Sequence, residues 1–224
     1  MESITRQFYE IPGKIMTFQS GKYLFHEGDS AKHFYIVRAG KISVTKYAEN
    51  GRILTLRLAT KCNVIGELIL YEENPIHVFN AVAQISSEVY AIEIPTLQSY
   101  LEKKTSLSIS LLKIIMQHMR KQNSKFRDLV LYGRKGAFYS TLIRFANSYG
   151  QKFSDGILIS VSLTNQDLAN YSATTHENVN RMLSDLRRQN IVEMHDGLIC
   201  IKNIEFLRTE IQCENCGIEI CNIE

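Results

Sequence analysis

Residues 163–192 read LTNQDLANYSATTHENVNRMLSDLRRQNIV, and their spacing predicts two short helices joined by a turn. Thr164 with Asp167, and Thr174 with Glu177, each have the S/T-x-x-D/E pattern of a capping box, so two helix starts lie ten residues apart. Leu168 and Ala169 are apolar positions of the first helix, near 164–171. Val179, Met182, Leu183 and Leu186 form the stripe of the second, near 175–188, with Ser172-Ala173 as the turn between them. The second helix leads with polar residues: Thr175, His176, Glu177, Asn180 and Arg181. Two capped helices so joined suit a helix-turn-helix, whose second helix enters the DNA major groove. There Arg181 can donate two bonds to guanine O6 and N7, and Glu177 can accept from a cytosine amino group. Taken singly, Glu177 could be only a cap, and Arg181 only a partner of Asp185 at i,i+4. Those readings explain each residue but not the arrangement. The strands IVEMH and LICIK, turning at Asp196-Gly197, add a wing.

Upstream, residues from Leu107 to about Tyr132 follow a helical period. Leu112, Ile115, Met119, Gln122, Phe126 and Leu129 give a heptad-like seam, read as a face for a second copy of the chain rather than for the preceding domain. Gly133 ends that helix, and another runs from about Lys135 to Tyr149, closed by Gly150. The first 100 residues read as short strands: KYLFHEGD, HFYIVRAG, KISVTKYA, ILTLRLAT and SEVYAIEI are rich in β-branched and aromatic residues. Gly28-Asp29, Gly40 and Asn50-Gly51 supply turns between them, as in a barrel or sandwich. Asn203 caps a last helix that opens a cysteine-containing tail. The expected class is α+β, with two domains joined by a long helix.

Composition narrows the function. The 224 residues carry 26 Lys+Arg against 23 Asp+Glu, with 45% hydrophobic and 22% charged residues, as expected of globular protein rather than of disorder or a fibre. The formal net charge of +3 is unevenly spread. Residues 113–152 hold nine cations and a single acid, Asp128, whereas residues 153–224 hold five cations and eleven acids. No run of about 18 apolar residues predicts a membrane span, and MESITRQFYEIPG lacks the features of a signal peptide, so a cytoplasmic protein without a membrane partner is expected. No nucleophile–base set or phosphate loop is visible, so the chain is read as not an enzyme.

These residues carry a family resemblance. Glu177 and Arg181 match the E-x-x-x-R of the CRP/FNR superfamily recognition helix, while GKYLFHEGDSAKHFYIVRAGKISV and VIGELILYEENP resemble its cyclic-nucleotide-type β-roll. The resemblance covers nearly the whole chain. It implies a β-roll over residues 1–105, a dimerisation helix over 106–132, a winged helix-turn-helix over 133–202 and a tail over 203–224. It also implies a homodimer on an inverted repeat and contact with RNA polymerase. FNR proteins typically carry Ser where Asn180 stands, so TGTGA-like half-sites are expected rather than TTGAT. The family's cyclic-AMP sensors hold phosphate with an Arg-Ser pair about ten residues beyond G-E-L. At that spacing from Gly66-Glu67-Leu68 this chain has His77-Val78, which lack a bidentate donor, so no cyclic AMP is expected.

Cys213, Cys216 and Cys221 form C-x-x-C-x-x-x-x-C in the tail, a set suited to zinc or an iron–sulfur cluster but one ligand short of four. Cys62 and Cys200 are read as small core hydrophobes. The tail resembles that of Bacillus-type FNR, which implies a [4Fe-4S] cluster, one per subunit, with an aspartate near the end of the dimer helix as fourth ligand. Asp128 is the matching acid; its plainer role is an ion pair with Lys121, Lys125 or Arg127. The resemblance thus implies an oxygen-responsive activator of anaerobic, nitrate-respiration genes. Two other readings stand beside it: a thiol–disulfide or zinc-dependent regulator of the same fold, and a regulatory subunit without DNA contact.

Overall fold

The computed structural model describes residues 2–154 and 156–224. The chain divides into two compact units, one comprising residues 1–47 and 55–118 and the other residues 48–54 and 119–224.

The first unit opens with α1 (Glu2–Thr5) and a 3-10 turn over Arg6–Glu10. Its strands are β1 (Lys14–Phe18), β2 (Tyr23–Phe25), β3 (His33–Ala39), β4 (Ile42–Tyr47), β5 (Ile53–Ala59), β6 (Val64–Ile65), β7 (Asn80–Ala83) and β8 (Ser87–Glu93). They form two four-stranded sheets, ordered β1-β8-β3-β6 and β2-β7-β4-β5. The run Phe34-Tyr35-Ile36-Val37 in β3 is buried throughout because alternate side chains serve two cores. Tyr35 and Val37 meet Phe25, Ile42, Val44 and Ala81 between the sheets. Phe34 and Ile36 face the other way, onto Phe8, Leu97, Leu101, Leu107, Leu111 and Ile114. Gly40, at φ 95°, lies so close to β8 that a Cβ there would sit 2.2 Å from Ser87 Oγ.

Two helices complete this unit. SEVYAIEI is not all strand: β8 ends at Glu93, and α2 (Ile94–Lys103) begins with proline in its first turn, where the missing N–H costs no helical bond. Helix α3 (Thr105–Tyr149) carries the break expected at Gly133, whose φ of 62° and ψ of −157° are not helical. Its first turns lay Leu107, Leu111 and Ile114 into the core, with Ile115 packed beside them. The expected seam residues differ in exposure within the single chain. Leu112, Met119 and Phe126 are exposed, but Ile115 turns inward and Gln122 and Leu129 are half-buried. The open apolar stripe also takes in Ile109, Met116 and Val130, because residues three and four apart share a face of a 3.6-residue helix and these lie off the face that Leu107, Leu111 and Ile114 bury.

Beneath this helix lies a buried charged cluster. Arg57 Nη2 donates to Glu67 Oε1 at 2.9 Å and to the Val64 carbonyl at 2.9 Å, and His118 Nδ1 lies 2.9 Å from the same Glu67 oxygen. Burial alone would raise the Glu67 carboxyl, but the guanidinium and the imidazole outweigh it and hold the pKa at about 2.

The second unit folds on the far half of α3. Beyond it come β9 (Gly150–Phe153), β10 (Gly156–Ile159), α4 (Asn165–Tyr171), α5 (His176–Arg188), β11 (Val192–His195), β12 (Leu198–Ile201) and α6 (Ile204–Glu210). The sheet order is β11-β12-β10-β9, so the wing hairpin is extended by β9 and β10, which the sequence reading left unassigned. Phe138, Leu142, Phe145, Leu168, Val179, Leu183, Leu186 and Ile191 form its core, which Cys221 and Ile223 of the tail join.

Two measurements check this packing. Leu186 is fully buried, so Leu186→Ala is expected to cost about 2–5 kcal/mol in urea unfolding. Glu67 has a depressed pKa, so its contribution is present above the unfolded value near 4.5 and is lost as pH falls toward about 2. Glu67→Gln is therefore expected to destabilise by about 3–5 kcal/mol at neutral pH, with the deficit vanishing across that acid window.

Candidate functional site

The helix-turn-helix is built as its spacing predicts, with one correction. Thr164 accepts from the Asp167 N–H at 3.0 Å while Asp167 accepts from the Thr164 N–H at 2.9 Å, a complete capping box. For α5 the cap is Thr175, not Thr174: the Thr175 hydroxyl accepts from the Asn178 N–H at 3.3 Å. Thr174 is buried and its hydroxyl accepts from the Asn178 side chain. The shift follows from the turn, where Ala173 takes a φ of 52° and the Thr174 N–H donates to the Ala169 carbonyl, holding Thr174 inside.

Val179, Leu183 and Leu186 then bury one face of α5 and leave His176, Glu177, Asn180 and Arg181 exposed on the other. Arg181 donates to Asn178 at 3.0 Å, and Asp185 pairs with Arg188 instead, so the Arg181–Asp185 pair is not formed. Glu177 is held below the usual carboxylate range by its own backbone N–H and by Thr175. It is an ionised acceptor at the positive end of α5. The wing turns at Asp196 and Gly197, both at positive φ, as a tight hairpin requires.

The tail returns to the same core. Cys221 is buried, and Cys213 and Cys216 are half-buried against the cluster it joins. Burial pushes the Cys221 thiol up to about 11; Arg144 opposes this, while Cys216 and Cys213 add to it, and Cys216 hydrogen-bonds with Cys221. Asp128, only 2% exposed, accepts from Ser140 Oγ at 2.5 Å and from Arg127 at 2.5 Å. The ion pair with Arg127 is thus formed, while Lys121 Nζ donates to Asn222 and to the Glu224 carbonyl.

The residue that the sequence reading missed is Arg144. Its guanidinium is 1% exposed and donates to Ser140 Oγ at 3.2 Å, Ser124 Oγ at 2.8 Å and the Ile220 carbonyl at 2.9 Å, with Asp128 Oδ2 3.6 Å away. Arg144 therefore stands between Asp128 and the backbone that leads into Cys221. A lone cation inside AFYSTLIRFANSY was the available signal. In the roll, His77 is buried and stacked flat on Phe25, with ring centroids 3.4 Å apart and planes at 5°. Burial lowers its pKa to about 4. Val78, beside it, is exposed.

Comparisons with known proteins bear on both units. Residues 15–104 match the cyclic nucleotide-binding domain, and residues 139–210 match the Crp-like helix-turn-helix domain. The chain is 43% identical over 225 residues to the anaerobic regulatory protein of Bacillus subtilis, covering 99% of this chain and 94% of that protein. It is 23% identical over 192 residues to the CRP-like cAMP-activated global transcriptional regulator of Mycobacterium tuberculosis, covering 85% and 84%. Among solved structures, the c-di-GMP responsive global regulator CLP of Xanthomonas campestris superposes with a TM-score of 0.77 at 17% identity, covering 91% of this chain and all of that one. FixK2 of Bradyrhizobium japonicum gives 0.71 at 18% identity, covering 89% and 97%; both structures speak to the fold alone. No helix among the described residues is long and apolar enough to cross a membrane. The helix-turn-helix match sets aside the reading without DNA contact, and the chain belongs to the CRP/FNR family of DNA-binding transcription regulators, which are not enzymes.

Proposed function

We propose that the protein is an oxygen-responsive, homodimeric transcription regulator of anaerobic respiratory genes, including those of nitrate respiration. In this reading Cys213, Cys216, Cys221 and Asp128 hold one [4Fe-4S] cluster per subunit. The observation that carries it is the convergence at Arg144: the buried carboxylate of Asp128 and the backbone entering Cys221 meet at one guanidinium. The donor set fits the group. Three thiols suit iron, and a carboxylate is a harder ligand that completes the four. Four anionic ligands leave such a site net negative, and Arg144 and Arg127 supply the opposing charge within it. When bound, the cluster supplies an oxygen-sensitive link between tail and dimer helix. Cys221, whose thiol is raised to about 11, gives up a proton on ligation, so loading is favoured as pH rises.

The rest of the reading concerns this chain's own groups. The exposed stripe of Ile109, Leu112, Met116, Met119, Phe126 and Val130 recurs at steps of three, four and seven residues and supports self-pairing through α3. A two-fold dimer sets two copies of α5 about one helical turn apart on an inverted repeat of TGTGA-like half-sites, read through Glu177 and Arg181. Thr175, His176 and Asn180 flank them. The likeness to the Bacillus subtilis regulator supports anaerobic target genes and, with them, contact with RNA polymerase. Cyclic AMP is not the effector in this reading: Glu67 is engaged by Arg57 and His118, and His77 by Phe25.

One observation favours a second reading, a thiol–disulfide switch: Cys213 and Cys216 pack against the same cluster that buries Cys221. Protein purified without oxygen separates the two. The cluster reading expects iron and acid-labile sulfide in equal amounts and a visible absorption band, both lost in Asp128→Ala and Cys213→Ser. It also expects affinity for an inverted-repeat duplex to change when air is admitted. Iron-free protein whose DNA affinity follows thiol oxidation supports the switch, and affinity indifferent to air and to Cys213→Ser rules out both. In either case Arg181→Ala is expected to lose about 1–3 kcal/mol of discrimination at the guanine it reads, measured with base-substituted duplexes.

A further inference from the structure

The wing hairpin holds a second set of metal donors, separate from the tail. In the register of β11 on β12, Glu193 stands directly across from Cys200, and His195 follows Glu193 by two residues, so all three share one face. One ligand atom from each, a carboxylate oxygen, an imidazole nitrogen and the Cys200 sulfur, lies within 4.8 Å of the others. Among the described residues, no other three His, Cys, Asp or Glu side chains close this far.

The surroundings fit a bound ion. Cys200 is fully buried, and its sulfur rests against Gly156 of β10, where a Cβ would come within 3.0 Å of it. Phe153 flanks the His195 ring, with centroids 4.8 Å apart. Glu193 Oε1 hydrogen-bonds with His195 and pairs with the Lys202 ammonium at 3.2 Å, contacts that an ion taking up both ligands would replace.

We propose that Glu193, His195 and Cys200 form a zinc site on the wing, with water as the fourth ligand. Sulfur and imidazole donors select a borderline ion over magnesium or calcium. A thiolate, a carboxylate and a neutral imidazole balance a divalent cation to zero net charge, which removes most of the electrostatic cost of burying it. The cysteine proton leaves to solvent on binding, so affinity rises with pH. The ion ties the two strands of the wing together beyond their backbone bonds.

The test uses the full-length chain with Cys213, Cys216 and Cys221 replaced by serine, so that the tail contributes no sulfur, and cobalt(II) as the probe. The expected result is a near-ultraviolet sulfur-to-cobalt band that saturates at one ion per chain and is displaced by zinc. Cys200→Ser should abolish that band. His195→Ala should weaken binding by at least about 10-fold, the smallest loss typical even of groups that only support a ligand. Should the serine background fail to fold, zinc content is compared in the chain with its tail intact, where Cys200→Ala is expected to bind one ion fewer than the native protein. No sulfur-to-cobalt band in the serine background, a band that survives Cys200→Ser, or unchanged zinc content in Cys200→Ala overturns the proposal.

Discussion

The buried guanidinium of Arg144 is the interaction on which the second unit depends. An unpaired charge in that position costs several kcal/mol, and the partners that offset the cost come from three segments of the chain. Ser124 and Asp128 lie before the Gly133 break, Ser140 after it, and Ile220 in the tail. One side chain thus joins both halves of α3 to the C-terminal residues. The tail is not an appendage, because Cys221 and Ile223 complete the core that also seats α4 and α5. Tail and recognition helix are therefore anchored in one core.

The first unit uses a related device differently. Its buried carboxylate, Glu67, is satisfied by Arg57 and by His118, and His118 belongs to α3. A glutamate in a G-E-L sequence can serve a small-molecule ligand or the protein's own architecture. Here two cationic or hydrogen-bonding partners already occupy it, and the neighbouring His77 is stacked on Phe25. The roll matches a cyclic nucleotide-binding domain, and in it Glu67 and His77 are engaged by the chain's own side chains.

Legibility in the sequence followed the range of the interaction. Helix caps, the Asp196-Gly197 hairpin and the Gly133 break depend on residues a few positions apart, and each was readable from spacing. Thr174 and Thr175 were confused because both offer a hydroxyl near the right position; the fold of the turn, with Ala173 at positive φ, decides which one caps. The seam on α3 shows a similar ambiguity. Heptad spacing identifies an apolar stripe but not which of two adjacent stripes the roll will cover, and burial of Leu111, Ile114 and Ile115 left Leu112, Met116 and Met119 outside.

Residue types and local spacing alone therefore determined the class of the protein: a β-rich sensor-type domain, a long broken helix, a helix-turn-helix with exposed Glu177 and Arg181, and three tail cysteines. Tertiary structure decided what each charged or sulfur-bearing group touches. Asp128 lies 16 residues before Arg144 in the sequence, and Ile220 lies 76 after it, yet all three meet. Cys200, which reads as an apolar strand residue, lies beside Glu193 and His195 only because two strands pair in one register. Backbone propensity acts over a few residues, whereas the desolvation of a buried charge is settled by whichever partners the folded chain brings within reach.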